Sequence, residues 1–167
     1  MGRVDVLVNN AGLGGSASVT EMTDEQWLKV IDVSLTSVFR MTRAILPHMY
    51  ANKTGAIVNN ASVLGWRAQA LQSHYAAAKA GVMAFTRCAA IEAAEHGVRI
   101  NAVAPSIAMH AFLNRVTSDA LLSELKSREA FGRTAETWEI ANVIVFLASD
   151  LASYMTGEIV SVSSQRA

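Results

Sequence analysis

Tyr75 and Lys79 bracket the stretch Tyr75-Ala76-Ala77-Ala78-Lys79, and their types and spacing point to proton transfer. On a helix four residues turn through ~400°, so both side chains leave the same face. A phenol has an ordinary pKa near ~10, and a cation held close favours the phenolate. Bringing it to neutrality asks for roughly 4 kcal/mol of differential stabilisation. A partly buried lysine and the charge of a bound cofactor can supply that, making the pair a general acid and base for a carbonyl or an alcohol. An isolated Tyr–Lys pair also occurs on ordinary helices as a packed ring and a solvated ammonium, so the surroundings decide. Ser62 lies thirteen residues before Tyr75, just after a strand-like run. A hydroxyl at the C-terminal end of a parallel strand sits where α/β sheets bind ligands. Asn9-Asn10-Ala11-Gly12 ends an earlier strand-like run and Pro105-Ser106 a later one. Small residues there let a ligand approach the backbone, and the three strand ends outline the rim of one cleft.

The elements that must hold these residues alternate between strand and helix, which argues for a parallel sheet with helices packed on it. Val4-Asp5-Val6-Leu7-Val8 reads as a strand stopped by its Asn-Asn turn. Thr23 and Gln26 fit a capping box that opens a helix over 24–46, with Pro47 near its end. Trp27, Val30, Ile31, Ser34 and Val38 share one face of that helix, while Leu28, Leu35 and Phe39 lie off it. Gly55–Asn60 reads as a second strand, 61–73 as a loop, and His74–Glu95 as an alanine-rich helix closed by Gly97. Val98–Ala104 reads as a third strand, Asp119–Glu129 and Trp138–Ser149 as helices, and Gly157–Val162 as a fourth strand.

Composition narrows the function. In 167 residues the apolar fraction is 51% and the charged fraction 17%, which excludes a disordered chain. Fourteen basic residues balance fourteen acidic ones, so nothing in the charge balance calls for nucleic acid. Apolar runs fall short of the ~20 residues of a membrane helix, and Met1-Gly2-Arg3-Val4-Asp5 does not read as a secretory signal. The lone Cys88 forms no internal disulfide; it is expected to be a small buried residue in its helix. His48, His74, His96 and His110 lack metal-ligand spacing, so no metal is expected. A cytoplasmic setting fits this cysteine usage.

Taken together, Asp5-Val6-Leu7-Val8-Asn9-Asn10-Ala11-Gly12, Ser62, Tyr75-Ala76-Ala77-Ala78-Lys79-Ala80-Gly81 and Asn101-Ala102-Val103-Ala104-Pro105 resemble the compact short-chain dehydrogenase/reductase family, from Val4 to about Val162. Within it, the Tyr-Ala-Ala-Ala-Lys-Ala-Gly stretch and Gly132-Arg133 look most like 3-oxoacyl-thioester reductases and hydroxysteroid dehydrogenases. The resemblance implies an α/β fold with a Rossmann-like doubly wound parallel sheet. It implies oxidoreduction between a secondary alcohol and a ketone, with NAD or NADP, on an apolar, acyl-thioester or steroid-like substrate. Tyr75 would carry the proton, Ser62 would bond the substrate oxygen, and Lys79 would hold the nicotinamide ribose and lower the pKa of Tyr75. Asn10, Ala11 and Gly12 would line the adenosine–ribose side. Pro105, Ser106, Ala108 and His110 fall in the stretch that meets the nicotinamide end. Ser34 stands where the family has an asparagine that kinks the helix and anchors a water of the proton relay.

Several positions depart from the family pattern. The family's opening Thr-Gly-x-x-x-Gly-x-Gly phosphate loop has no counterpart, and Gly12-Leu13-Gly14-Gly15 has the wrong context to replace it. The chain is therefore expected to hold the family's fold only from its fourth strand onward, as a single partial domain over 1–167. Its first strand is then expected to be an apolar sheet edge. Ser106, His110 and Ser164-Gln165 replace a glycine, a threonine and a glycine pair, which points to a distinct substrate branch. The segment 106–133 is expected to cover the substrate, with Trp66, Met109 and Phe112 flanking the cleft. Helices 24–46 and 74–95 are apolar on more than one side and are expected to pair across a two-fold axis as a homodimer or homotetramer. The competing expectation is a catalytically impaired piece that acts only as an oligomerisation or interaction module.

Overall fold

A computed structural model of the chain describes residues 2–109 and 118–164. Four parallel strands form one sheet in the order β1-β2-β3-β4: Val6–Asn9, Gly55–Asn60, Val98–Pro105 and Ile159–Val162. All three pairings are parallel, with Val8 opposite Val58 and Asn59 opposite Ala102. The sheet is buried on both faces because successive residues of a strand point to opposite sides. Ile57 and Ile100 pack against Met49, Ala89 and Ala93 of one helical layer. Val58 and Val103 pack against Ile140 and Leu147 of the other. β1 forms an edge, and its Val6 and Val8 remain 43% and 40% exposed.

The first helix opens on the expected capping box: the Thr23 hydroxyl accepts from the Gln26 N–H while the Gln26 side chain accepts from the Thr23 N–H. It is longer and less regular than its residue pattern suggests. α1 (Asp24–Ile31) passes into a π-helical turn (Asp32–Thr36) and continues as α2 (Ser37–Asn52), with Pro47 inside. A proline forfeits one internal bond; here the buried Met49 packs against the sheet and carries the helix past it. α3 spans Ser73–Ala94, α4 Asp119–Ser127 and α5 Thr137–Ala148. Gly97 turns the chain from α3 into β3 at φ +72°, where a Cβ would stand 2.7 Å from the Lys53 carbonyl oxygen. A side chain is excluded there on both counts.

Cys88 is exposed rather than buried. Val82, Thr86, Ala89 and Ala93 define the inward face of α3. Position 88 belongs with exposed Ala84 and Ile91 on the outer face. A helix this rich in alanine carries little apolar contrast from which its buried face can be read.

A buried polar chain ties the layers together at the C-terminal ends of the strands. The Asn9 amide donates to Asn59 Oδ1 at 2.8 Å, the Asn59 amide to Thr86 Oγ1 at 2.9 Å, and the Thr86 hydroxyl to the Val82 carbonyl at 2.8 Å. Satisfied buried networks of this kind fix one arrangement of the elements that meet there.

Candidate active site

α3 begins at Ser73, so Tyr75 and Lys79 fall in its first two turns and point to the same side. Lys79 is 3% exposed. Its Nζ donates to the Asn60 carbonyl at the end of β2, at 2.6 Å, and stands 5.6 Å from the centre of the Tyr75 ring. Ser62, two residues beyond β2, accepts from the Leu64 N–H at 3.2 Å and caps a short 3-10 turn over Val63–Gly65. That cap fixes the serine at the strand end.

Burial dominates the electrostatics. It pushes the Tyr75 phenol above its ordinary value of 10.0, and interaction with the Ser62 hydroxyl pulls it partly back. Burial also lowers the Lys79 ammonium from 10.5 to about 8. The phenol thus lies above its ordinary value, where the Tyr–Lys spacing alone predicts a lowered one. The reason is geometric: the lysine nitrogen bonds a backbone carbonyl and lies toward the ring, while desolvation acts on the phenolate as a whole.

These residues line one pocket of about 790 Å³ at the C-terminal ends of the strands. Asn10, Gly12, Ser62, Tyr75 and Lys79 are on its wall, and so are Pro105, Ser106 and Ala108. Ala11 is exposed and is not on that wall, and His110 lies outside the described residues together with Phe112. Ser34 does not reach the pocket either. It is fully buried in the π-helical turn, accepts from the Leu13 N–H at 2.9 Å and donates to the Leu13 carbonyl at 2.8 Å. It therefore pins the loop that follows β1 from behind.

Two parts of the wall escaped the sequence reading. One is Gly14, in a loop whose glycines carried no recognisable motif. The other is the α5 face with Thr137, Ile140, Ala141 and Ile144. The 140/144 spacing marks an inward helical face, but nothing local to it says what that face meets. Trp66 is half exposed and is not on the wall. A second cavity, of about 620 Å³, opens at the opposite end of the sheet beside Asp5, Arg99 and Asp150, away from the Tyr–Lys pair. Among the described residues no acidic, histidine or cysteine cluster could hold a metal ion, and no helix is long and apolar enough to cross a membrane.

This arrangement can hold a carbonyl or hydroxyl oxygen between two hydroxyls, with an ammonium one helical turn away. Known proteins resemble the chain over nearly its whole length. A family profile described as "Enoyl-(Acyl carrier protein) reductase" matches residues 1–164. A Mycobacterium tuberculosis protein named "(5R,7aS)-5-hydroxy-7a-methyl-1-oxo-2,3,5,6,7,7a-hexahydro-1H-indene-carboxyl-CoA reductase" is 68% identical over 166 residues, which is 99% of this chain and 63% of that protein. A 3-oxoacyl-[acyl-carrier-protein] reductase of Thermotoga maritima is 42% identical, over 96% of this chain and 65% of its own length. Among solved structures, a short chain dehydrogenase from Mycobacterium smegmatis superposes with a TM-score of 0.83 at 63% identity, over 99% of this chain and 60% of that one. ElxO with NADP bound superposes at 0.90 with 31% identity, over 96% and 66%. The chain thus spans about two thirds of the length of the relatives it matches, or slightly less.

Proposed function

The chain belongs to the short-chain dehydrogenase/reductase family, and we propose that it works as a nicotinamide-dependent oxidoreductase interconverting a secondary alcohol and a ketone on an apolar, thioester-borne substrate. The observation that carries this reading is the meeting of Ser62, Tyr75 and Lys79 on one pocket wall at the strand ends. The substrate class draws support from the relatives, one named for a hydroxylated bicyclic carboxyl-CoA and one for a 3-oxoacyl group.

In reduction the Tyr75 hydroxyl gives its proton to the ketone oxygen, and in oxidation the phenolate takes it from the alcohol. The Ser62 hydroxyl bonds the same oxygen and orients it toward Tyr75. The residues fit the nicotinamide–ribose end of NAD or NADP. Gly12 leaves a space beside Lys79 in which a Cβ would come to 3.3 Å from Nζ, and that nitrogen retains donors for ribose hydroxyls. Asn10 and Gly12, expected on the adenosine–ribose side, and Ser106 and Ala108, expected at the nicotinamide end, line the same pocket. When bound, the dinucleotide supplies or accepts the hydride. The ammonium of Lys79 stabilises the phenolate left on Tyr75 and so links cofactor binding to proton transfer.

The segment 106–133 serves as the substrate cover in this reading. Its described part includes α4, which has no fully buried residue, and its end is tied down where the Ala130 N–H donates to the Ser164 carbonyl.

Tyr75→Phe tests the proton donor. Turnover of a ketone substrate should fall by roughly 10²–10⁴ while the melting temperature stays close to wild type; retained turnover removes Tyr75 from the role. A reading as a purely associating module rests on the exposed apolar side chains of α1–α3. Titration with NADH and NADPH separates the two: saturable binding with thermal stabilisation supports the enzyme, and none supports the module.

A further inference from the structure

Glu129 is a buried acid with no part in the proton transfer. It stands just beyond α4 and is 3% exposed. One of its carboxylate oxygens is well satisfied: the Ser164 N–H donates to Oε2 at 3.2 Å and the Ser164 hydroxyl at 2.7 Å. The other, Oε1, is buried with no hydrogen-bond partner among the described residues. The ion pairs among the described residues do not include Glu129. Buried carboxylates are ordinarily paired, because taking an isolated charge out of water costs far more than burying a neutral polar group.

Glu129 lines a cavity of about 170 Å³ with Ser106, Arg133, Glu139 and Ser164. Arg133 is committed elsewhere on that wall. Its Nη1 and Nη2 donate to Glu139 at 2.7 and 2.8 Å, and Nη1 donates to the Thr134 carbonyl at 3.0 Å. Two carboxylates and one guanidinium therefore leave the cavity with one uncompensated negative charge. Among the described residues no cluster of acidic, histidine or cysteine side chains offers a divalent ion its ligands, so the deficit is a single charge. A water molecule takes about 30 Å³ of liquid, which gives this cavity room for a small ion with several waters. Ser106 also lines the Tyr–Lys pocket, so the two cavities meet at one residue.

We infer that this cavity binds a small monovalent cation, an alkali ion or a primary ammonium, against the unpartnered side of the Glu129 carboxylate. The cation supplies the missing positive charge, and its waters or N–H groups supply the donors that Oε1 lacks. It also favours the closed contact between Glu129 and Ser164. That contact joins the chain beyond α4 to the end of β4, where the Ala130 N–H donates to the Ser164 carbonyl at 2.7 Å. Occupancy should therefore be felt at the Ala130 amide.

The test melts wild type and Glu129→Gln in the chlorides of potassium, sodium, methylammonium and tetramethylammonium at equal ionic strength. Tetramethylammonium has the same charge without N–H donors or a compact, hydrated ion, and it controls for screening. Potassium, sodium or methylammonium should raise the wild-type melting temperature above the tetramethylammonium value by about 3 °C or more at saturation. Glu129→Gln keeps an oxygen for the Ser164 donors and removes the charge, so its melting temperature should not distinguish the four salts. A rise with a metal ion alone identifies an alkali site, and one with methylammonium alone an amine site; either supports the inference. Hydrogen exchange gives the location: in the stabilising salt the Ala130 amide should gain roughly fivefold or more protection relative to the amides of β2. Four salts acting alike on wild type overturn the inference, as does a cation-specific rise that survives in Glu129→Gln. A rise without added protection at Ala130 puts the cation elsewhere and overturns it too. Should Glu129→Gln not fold, the wild-type salt comparison and the Ala130 exchange decide alone. Neither measurement involves turnover, so the outcome is independent of the proposed reaction.

Discussion

At the scale of the residue, Lys79 carries the most direct physical signature. Burial lowers its ammonium from 10.5 to about 8, so the folded chain gives up that proton more readily than the unfolded one. For a group whose folded pKa is depressed, the stabilising contribution is complete above the unfolded value and is lost as pH falls through the folded value. Stability attributable to Lys79 should therefore rise between about pH 8 and pH 10, with a full span on the order of 3 kcal/mol. Tyr75 acts in the opposite sense. Its raised pKa contributes stability that is present below 10 and lost at higher pH, so it leaves the pH 8–10 window to the lysine. Lys79→Met should flatten that rise in chemical denaturation curves run across the window. It should also sacrifice the bond to the Asn60 carbonyl, at a cost of about 1–3 kcal/mol that does not vary with pH. A variant whose stability climbs between pH 8 and 10 as steeply as wild type would show that Lys79 is not the group being titrated.

At the scale of the element, the local signals were legible and the long-range ones were not. The Thr23–Gln26 capping box, the second strand and the Tyr75–Lys79 face stand where neighbouring residues put them. The first strand runs from Val6 to Asn9, because pairing with β2 rather than β-branching sets its ends. The family resemblance marks position 34 as the site of a kink, but no local pattern gives the π-helical turn at 32–36, since what accompanies it is a tertiary contact, Ser34 with Leu13, across 21 residues of chain. Inserted π turns of this kind are frequent at functional sites, and here the turn delivers a hydroxyl to the loop behind Gly12 and Gly14. Ser34→Ala removes two bonds and leaves the partly buried N–H and carbonyl of Leu13 without their serine partner. That should cost about 2 kcal/mol. Hydrogen exchange supplies the sharper readout: the Leu13 amide should lose protection by roughly tenfold or more, while the amides of β2 slow or quicken only with global stability. Equal protection at Leu13 in both proteins would mean that the loop holds its place without the serine.

At the scale of the whole molecule, the sheet is covered on both faces, yet each helical layer turns apolar side chains outward. On the α1–α3 side Leu28, Met41 and Ile91 are 62%, 52% and 76% exposed. On the α5 side Trp138, Val145 and Leu151 are 60%, 66% and 82% exposed. Soluble monomers rarely carry such concentrations, and contiguous apolar patches mark surfaces that meet another molecule. Two such layers on opposite faces match the closed symmetry of a dimer of dimers, with each face meeting its own copy. The helices at 24–46 and 74–95 are proposed as the first of these interfaces. Ile91→Glu places a charge on that side, at an exposed position off the pocket wall, and it should lower the mass measured by light scattering by half. Val145→Glu makes the matching change on the other side. A tetramer that falls to a dimer with either variant, and to a monomer with both, supports two independent interfaces. Dissociation by Val145→Glu alone moves the association to the α5 face and removes the helical pair from the proposal. A wild-type chain that is monomeric at every concentration tested excludes both.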